Sequence, residues 1–125
     1  MKATLFIDAS ILISILQEDD FLPKIVRNIS GYENVYITPV SYLFAFEKSR
    51  KIGKNINSIH EELSLFNVTN VDENTIQKAR DICKDTDFED ALQVASALEN
   101  EILDFLTNDK RQAARYKDLL KTILL

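Results

Sequence analysis

The strongest constraint on folding is a rhythm along the chain. ATLFI, NVYITP, FNVTNV and ILDFLTND are short apolar runs rich in strand formers, and KTILL is a fifth at the end. Between them lie stretches with helical spacing: SILISIL, FLPKIVRNI, SYLFAFEKSRK stopping near Gly53, NSIHEELSLF, DENTIQKARDICK and DFEDALQVASALEN, the last closed by Asn100 as a left-handed cap. Only two glycines and two prolines punctuate 125 residues, so connections are short and helices plentiful. Short strands alternating with helices imply right-handed crossovers and a parallel sheet covered on both faces. The expected fold is therefore a three-layer α/β/α sandwich, with a mostly parallel sheet of four to five strands in a single domain over residues 1–125. In such sheets the functional crevice lies beyond the C-terminal strand ends, where strand order reverses.

Acidic residues gather where that crevice is expected. Asp8 ends the first run and Asp109 the fourth, although Asp8, and Asn108 or Asp109, also suit helix N-caps. Glu47 follows Leu43 by four and Phe44 by three, which predicts a carboxylate on the sheet-facing stripe of its helix, with a salt bridge to a nearby Lys or Arg as the alternative. In TDFEDALQVASAL, Thr86 and Glu89 fit a capping box, leaving Asp87 and Asp90 surplus on one face; in the other register Asp87 is itself the cap. Converging carboxylates repel one another unless a cation screens them. An all-oxygen donor set points to Mg²⁺ or Mn²⁺ instead of zinc.

Other classes of function find less support. A net charge of −5 argues against coating nucleic acid by bulk electrostatics, although EKSRKIGK and DKRQAARYK concentrate basic residues locally. No grouping of Ser, Cys and His suggests a catalytic triad, and no glycine-rich phosphate loop is present. A receiver-type phosphotransfer domain would place adjacent acids after the first strand, whereas Asp8 is followed by Ala9. His60 reads as a helix-surface residue, and the lone Cys83 as a reduced core thiol in a cytoplasmic protein. Asp8 and Ser10 interrupt the apolar N-terminus, which reads as strand and helix in place of a signal sequence, and no run is long enough to span a membrane.

FIDASILIS, the glutamate of VSYLFAFEKSR, DFEDALQVASALE and FLTNDK, in that order, resemble the PIN domain over essentially the whole chain, particularly the VapC-like ribonuclease toxins. The resemblance implies an acidic site at Asp8, Glu47, Asp90 and Asp109, with Asp87 as a further acid and Ser10 and Thr107 as supporting hydroxyls. It implies hydrolysis of RNA phosphodiester bonds by water activated on Mg²⁺ or Mn²⁺, with no protein nucleophile. Lys48, Arg50, Lys51, Lys110 and Arg111 would steer the RNA backbone, single-stranded or looped RNA being the expected substrate. An antitoxin protein and a homodimer formed through the helices after the first strand are the implied partners. A catalytically inactive PIN-like module binding RNA or protein is the alternative. The sequence departs from the family at Ala9, where a hydroxyl residue is common, and at Asn100-Glu101, where a glycine turn is frequent.

Overall fold

Leu5, Phe6 and Ile7 are all fully buried, so the first strand, β1 (Lys2–Ile7), is covered on both faces and must lie at the centre of its sheet. The computed structural model describes residues 2–83 and 87–125. After β1 come α1 (Ala9–Gln17), α2 (Leu22–Ile29), β2 (Tyr32–Ile37), α3 (Pro39–Lys51), α4 (Ile56–Leu63), β3 (Asn67–Val68) and α5 (Glu73–Ile82). The chain then continues through α6 (Phe88–Glu99), β4 (Asp104–Thr107), α7 (Lys110–Tyr116) and β5 (Lys121–Leu124). All four strand pairings are parallel, in the order β3-β2-β1-β4-β5. The expected α/β sandwich is thus present with five strands.

Alternation along the central strands divides the core between two faces. Leu5 and Ile7 of β1 pack with Ile11, Leu12 and Leu16 of α1, Ile25 of α2, Ala45 of α3, and Ile59 and Leu63 of α4. Phe6 points the other way, stacking on Phe105 of β4 with ring centroids 5.2 Å apart, among Ala79 of α5, Ala91, Val94 and Ala95 of α6, and Tyr116 of α7. Cys83, at the C-terminal end of α5, packs against this second cluster as a half-buried thiol. His60 is exposed on α4, as expected, with its ring stacked on Phe46 at 4.8 Å and its Nδ1 2.5 Å from the Tyr42 hydroxyl.

Local chemistry explains most boundaries. Pro39 does not merely stop β2. It opens α3 at N1, where its missing N–H costs nothing, behind Thr38, whose hydroxyl accepts from the Ser41 N–H at 2.9 Å. Asp72 and Thr75 form a reciprocal capping box at the start of α5. The strand expected in FNVTNV shrinks to two residues, pairing only with Tyr36 and Ile37, a short edge that offers little template for aggregation.

The end of α6 corrects the expected cap. Asn100 has φ −95° and is not left-handed; the left-handed residue is Glu101, at φ 57°. A residue bearing Cβ pays about 1–2 kcal/mol there, which glycine avoids at the cost of greater chain entropy. Glu101→Gly should therefore raise stability by about 0.5–1 kcal/mol in urea unfolding. A fall in stability would show that the Glu101 backbone is not strained.

Candidate active site

Strand order reverses between β1 and β4, because the chain builds outward from β1 to β2 and β3 and then returns to lay down β4 and β5. Beyond the C-terminal ends of β1 and β4 lies a cavity of about 300 Å³ lined by Asp8, Ala9, Ser10, Ile13, Phe44, Lys48, Glu89, Asp90, Gln93, Asp109 and Gln112. This is the crevice that the topology dictates.

Asp8 is its most constrained member. Only 2% exposed, it caps α1, with Oδ1 accepting from the Ile11 N–H at 3.0 Å and the Ser10 hydroxyl at 2.6 Å. Oδ2 accepts from the Thr107 hydroxyl. Thr107 in turn accepts from the Asp109 N–H at 3.0 Å, so one buried hydroxyl ties both aspartates to the strand ends. Hydrogen bonds to a charged group are worth about 1.5–3 kcal/mol each, yet burial, reinforced by the Asp109 charge, still holds the Asp8 carboxyl above its ordinary pKa. The N-cap reading and the crevice reading of Asp8 are both realised.

Asp109 caps α7, accepting through Oδ1 from the N–H groups of Arg111 at 2.9 Å and Gln112 at 3.3 Å. Asp87 is the N-cap of α6, accepting from the Asp90 N–H at 3.3 Å, so the second register applies. Thr86, the other cap candidate, lies outside the described residues. That register turns Glu89 toward the cavity, where burial, Asp87 and Asp8 push its carboxyl upward. Its Oε1 accepts from Gln93 Nε2 at 3.3 Å. Asp90 is pushed up to about 7, first by burial and then by Asp87, Asp109 and Glu89. Arg115 forms an ion pair with its Oδ2 at 3.6 Å, and the Asp90 carboxyl stays raised despite that cation.

Glu47 is the clear correction. Its carboxylate does not face the sheet but sits partly exposed beside Arg50 at 2.8 Å, the salt-bridge alternative, and is not part of the cavity wall. Arg50 holds the Glu47 carboxyl below its ordinary pKa. The reason is that α3 packs through small residues: Ser41, Ala45 and Ser49, four apart, are buried, while Leu43 and Phe44 are exposed. Rotating the buried line onto those small side chains sends Phe44 and Lys48, one turn apart, to the cavity and leaves Glu47 to one side. Of the basic candidates, Lys48 reaches the cavity wall; Lys51, Lys110 and Arg111 are exposed on their helices.

Sequence reasoning also overlooked two amides. Gln93, 1% exposed, accepts through Oε1 from the Ala9 N–H at 2.8 Å and the Ser41 hydroxyl at 3.1 Å, joining α6 to α1 and α3. Gln112, 2% exposed, lies on the cavity wall. For Gln93 the available signal was a single polar residue inside the apolar run DALQVASAL.

Fold and site together define an all-parallel α/β domain with an acidic crevice at its topological switch point. The PIN domain family matches residues 5–118, and the chain belongs to that family. Among solved structures, a toxin–antitoxin complex from Klebsiella pneumoniae superposes with a TM-score of 0.79 at 14% identity, over 97% of this chain and 96% of that one. VapBC-1 from nontypeable Haemophilus influenzae does so with a TM-score of 0.68 at 13% identity, over 97% of each chain. At such identities the likeness shows a common fold. No curated protein matches the chain.

In the metal-free protein the raised acids carry a definite pH signature. A carboxyl whose folded pKa lies above its unfolded value near 3.8 stabilises the fold fully below that value and loses the contribution as pH rises through the folded pKa, about 7 for Asp90. Thermal stability in chelator should therefore decline between about pH 4 and 7, and Asp90→Asn should flatten the decline. An unchanged slope in the variant would contradict the crowding of these acids.

Proposed function

We propose that this PIN domain is a divalent-metal-dependent endoribonuclease that hydrolyses RNA phosphodiester bonds, acting as the toxin of a toxin–antitoxin pair. Family membership supports the nuclease class. The single observation that carries the reading is the convergence of Asp8, Asp90 and Asp109, joined by Glu89, on one cavity.

The donor set fits Mg²⁺ or Mn²⁺. Every carboxylate there offers only oxygen, neither Cys nor His lines the cavity, and Asp8, Glu89 and Asp90 are held above their ordinary pKa first by burial and then by neighbouring acids, a cost that a dication would offset. Among the described residues no three His, Cys, Asp or Glu side chains form a ready-made metal cage. Mg²⁺ does not require one, since it keeps several waters and is usually held by one or two carboxylates plus substrate phosphates. Asp8, Asp90 and Asp109 would hold the ion, which supplies acidification of water and charge for the departing oxygen. Ser10 and Thr107 keep the Asp8 carboxylate aimed before any ligand arrives. Lys48 offers a cation to the RNA backbone, and Phe44, 41% exposed at the cavity, offers a face on which an unpaired base can stack, which supports single-stranded RNA. Arg50, Lys51, Lys110 and Arg111 are proposed to attract the flanking strand.

One observation favours the second reading, an inactive module binding RNA or protein: α3 brings Phe44 and Lys48 to the cavity, and no acid. As for partners, both similar structures are titled as toxin–antitoxin assemblies. A separate apolar groove of about 590 Å³, running past Ile15, Leu22, Ile25, Val26 and Phe66, supports a protein-binding face for an antitoxin. The homodimer proposed through α1 and α2 would use the exposed Phe21 beside that groove. No helix among the described residues is long and apolar enough to cross a membrane, in keeping with the proposed cytoplasmic location.

Purified protein should cleave single-stranded RNA with Mg²⁺ and stop on chelation. Asp8→Asn or Asp90→Asn should each lower the rate at least a hundredfold, about 2.7 kcal/mol of lost transition-state stabilisation. Full activity in both variants would reject the assignment, and an inactive wild-type protein that still binds RNA would establish the second reading.

A further inference from the structure

Glu89 stands at the second position of α6, where a carboxylate ordinarily serves the helix start by reaching back to the N–H of the cap residue. Here the capping is done by Asp87, whose Oδ1 accepts the Asp90 N–H. Glu89 instead turns forward, and among the described residues its one hydrogen-bond partner is Gln93, four residues on, whose Nε2 lies 3.3 Å from Oε1. The other oxygen, Oε2, has no partner among the described residues, on a side chain that lines the acid-walled cavity.

On a solvated helix face such a pair four residues apart is a loose tie. Gln93 is not on such a face. It is 1% exposed, and its Oε1 is occupied twice, by the Ala9 N–H of α1 at 2.8 Å and by the Ser41 hydroxyl of α3 at 3.1 Å. A backbone N–H only donates, so the end of the amide beside Ala9 is the oxygen, and Nε2 is the end that faces Glu89. Exchanging the two ends would set N–H against N–H at Ala9 and oxygen against carboxylate at Glu89. The amide is therefore locked between α1, α3 and α6 with its donor aimed at one carboxylate. That carboxylate is held on the wall it shares with Asp8, Asp90 and Asp109.

We propose that Glu89 is the fourth acid of the divalent-ion site, supplied by α6 where α3 brings none, and that Gln93 is the positioning residue that holds it there. The inference rests on the metal-dependent nuclease reading and deepens it. Two neighbouring carboxylates of α6, Glu89 and Asp90, then face the ion with Asp8 and Asp109, while α3 contributes Phe44 and Lys48. Gln93 acts only through Glu89, since both ends of its amide are engaged by the protein. In the purely structural alternative, Glu89 is a half-buried acid of the helix start and Gln93 merely ties α6 to α1 and α3.

The test reads Mn²⁺ affinity by electron paramagnetic resonance, and Tm by thermal unfolding, in the wild-type chain, Glu89→Gln, Gln93→Met, the double variant and Ser41→Ala. Glu89→Gln, outside the core, should fold as the wild type does and bind Mn²⁺ about tenfold more weakly. Gln93→Met should also cost about tenfold in Mn²⁺ affinity, but about twofold or less once Glu89→Gln is present, because it acts through that carboxylate. Its Tm should fall equally in both backgrounds, since the lost bond to Ala9 is structural. Ser41→Ala removes a bond to the same Oε1 and leaves the contact with Glu89, so it should lower Tm with Mn²⁺ affinity unchanged. If the wild-type chain binds Mn²⁺ and cleaves RNA while Glu89→Gln binds the ion as tightly, the inference alone fails. A Gln93→Met loss that persists undiminished in the double variant would leave Gln93 a core brace and overturn its positioning role. A wild-type chain that neither binds Mn²⁺ nor cleaves RNA overturns the nuclease reading and this inference with it.

Discussion

One buried carboxylate organises this molecule. Asp8 receives the Ser10 hydroxyl, the Ile11 N–H and the Thr107 hydroxyl, and its own N–H donates to the Leu106 carbonyl at 3.2 Å. Those contacts close the first helix, fasten β1 to β4 and fix the floor of the crevice at once. Continuum arguments make a buried, unpaired carboxylate expensive, and the hydrogen bonds around Asp8 do not fully compensate, since its pKa stays raised. This cost falls at the point where strand order reverses, which is where the proposed divalent ion would sit.

The remaining acids extend the same logic. Asp109 and Asp87 are ordinary helix caps by their hydrogen bonds, and Asp109 also sits on the wall of the cavity that Asp90 and Glu89 share. Capping and ligand binding are compatible here because a carboxylate has two oxygens: the N–H groups of α7 occupy Oδ1 of Asp109, and the Asp90 N–H occupies Oδ1 of Asp87. Burial first, and Asp87, Asp109 and Glu89 after it, push Asp90 up to about 7, with Arg115 paired to it at 3.6 Å. Phe44 and Lys48 of α3 and Gln112 of α7 line the same cavity.

Much of this was legible in the residues. The short apolar runs ending at Asp8 and Asp109 specified strands, and helices between them specified a parallel sheet, because few other packings bury strands on both faces. Glu47 was misplaced for a physical reason: Leu43 and Phe44 are larger and more apolar than Ser41, Ala45 and Ser49, yet close packing of α3 selected the small residues. Helical periodicity finds the apolar stripe but does not weigh how near two helices approach. Glu89 was hidden by its plausible pairing with Thr86, and Gln112 by its place in a helix that otherwise reads as basic surface. The Asn100 cap failed by one residue, since backbone geometry and not residue preference put Glu101 in the left-handed region.

The central claim is that this fold gathers Asp8, Asp90 and Asp109 around a divalent ion. Mn²⁺ titration followed by electron paramagnetic resonance measures that gathering without reference to any substrate. Saturable binding is expected in the wild-type chain, lost in Asp8→Asn and Asp109→Asn and retained in Glu47→Gln. Absence of binding at millimolar Mn²⁺, or binding indifferent to both aspartate substitutions, would contradict it.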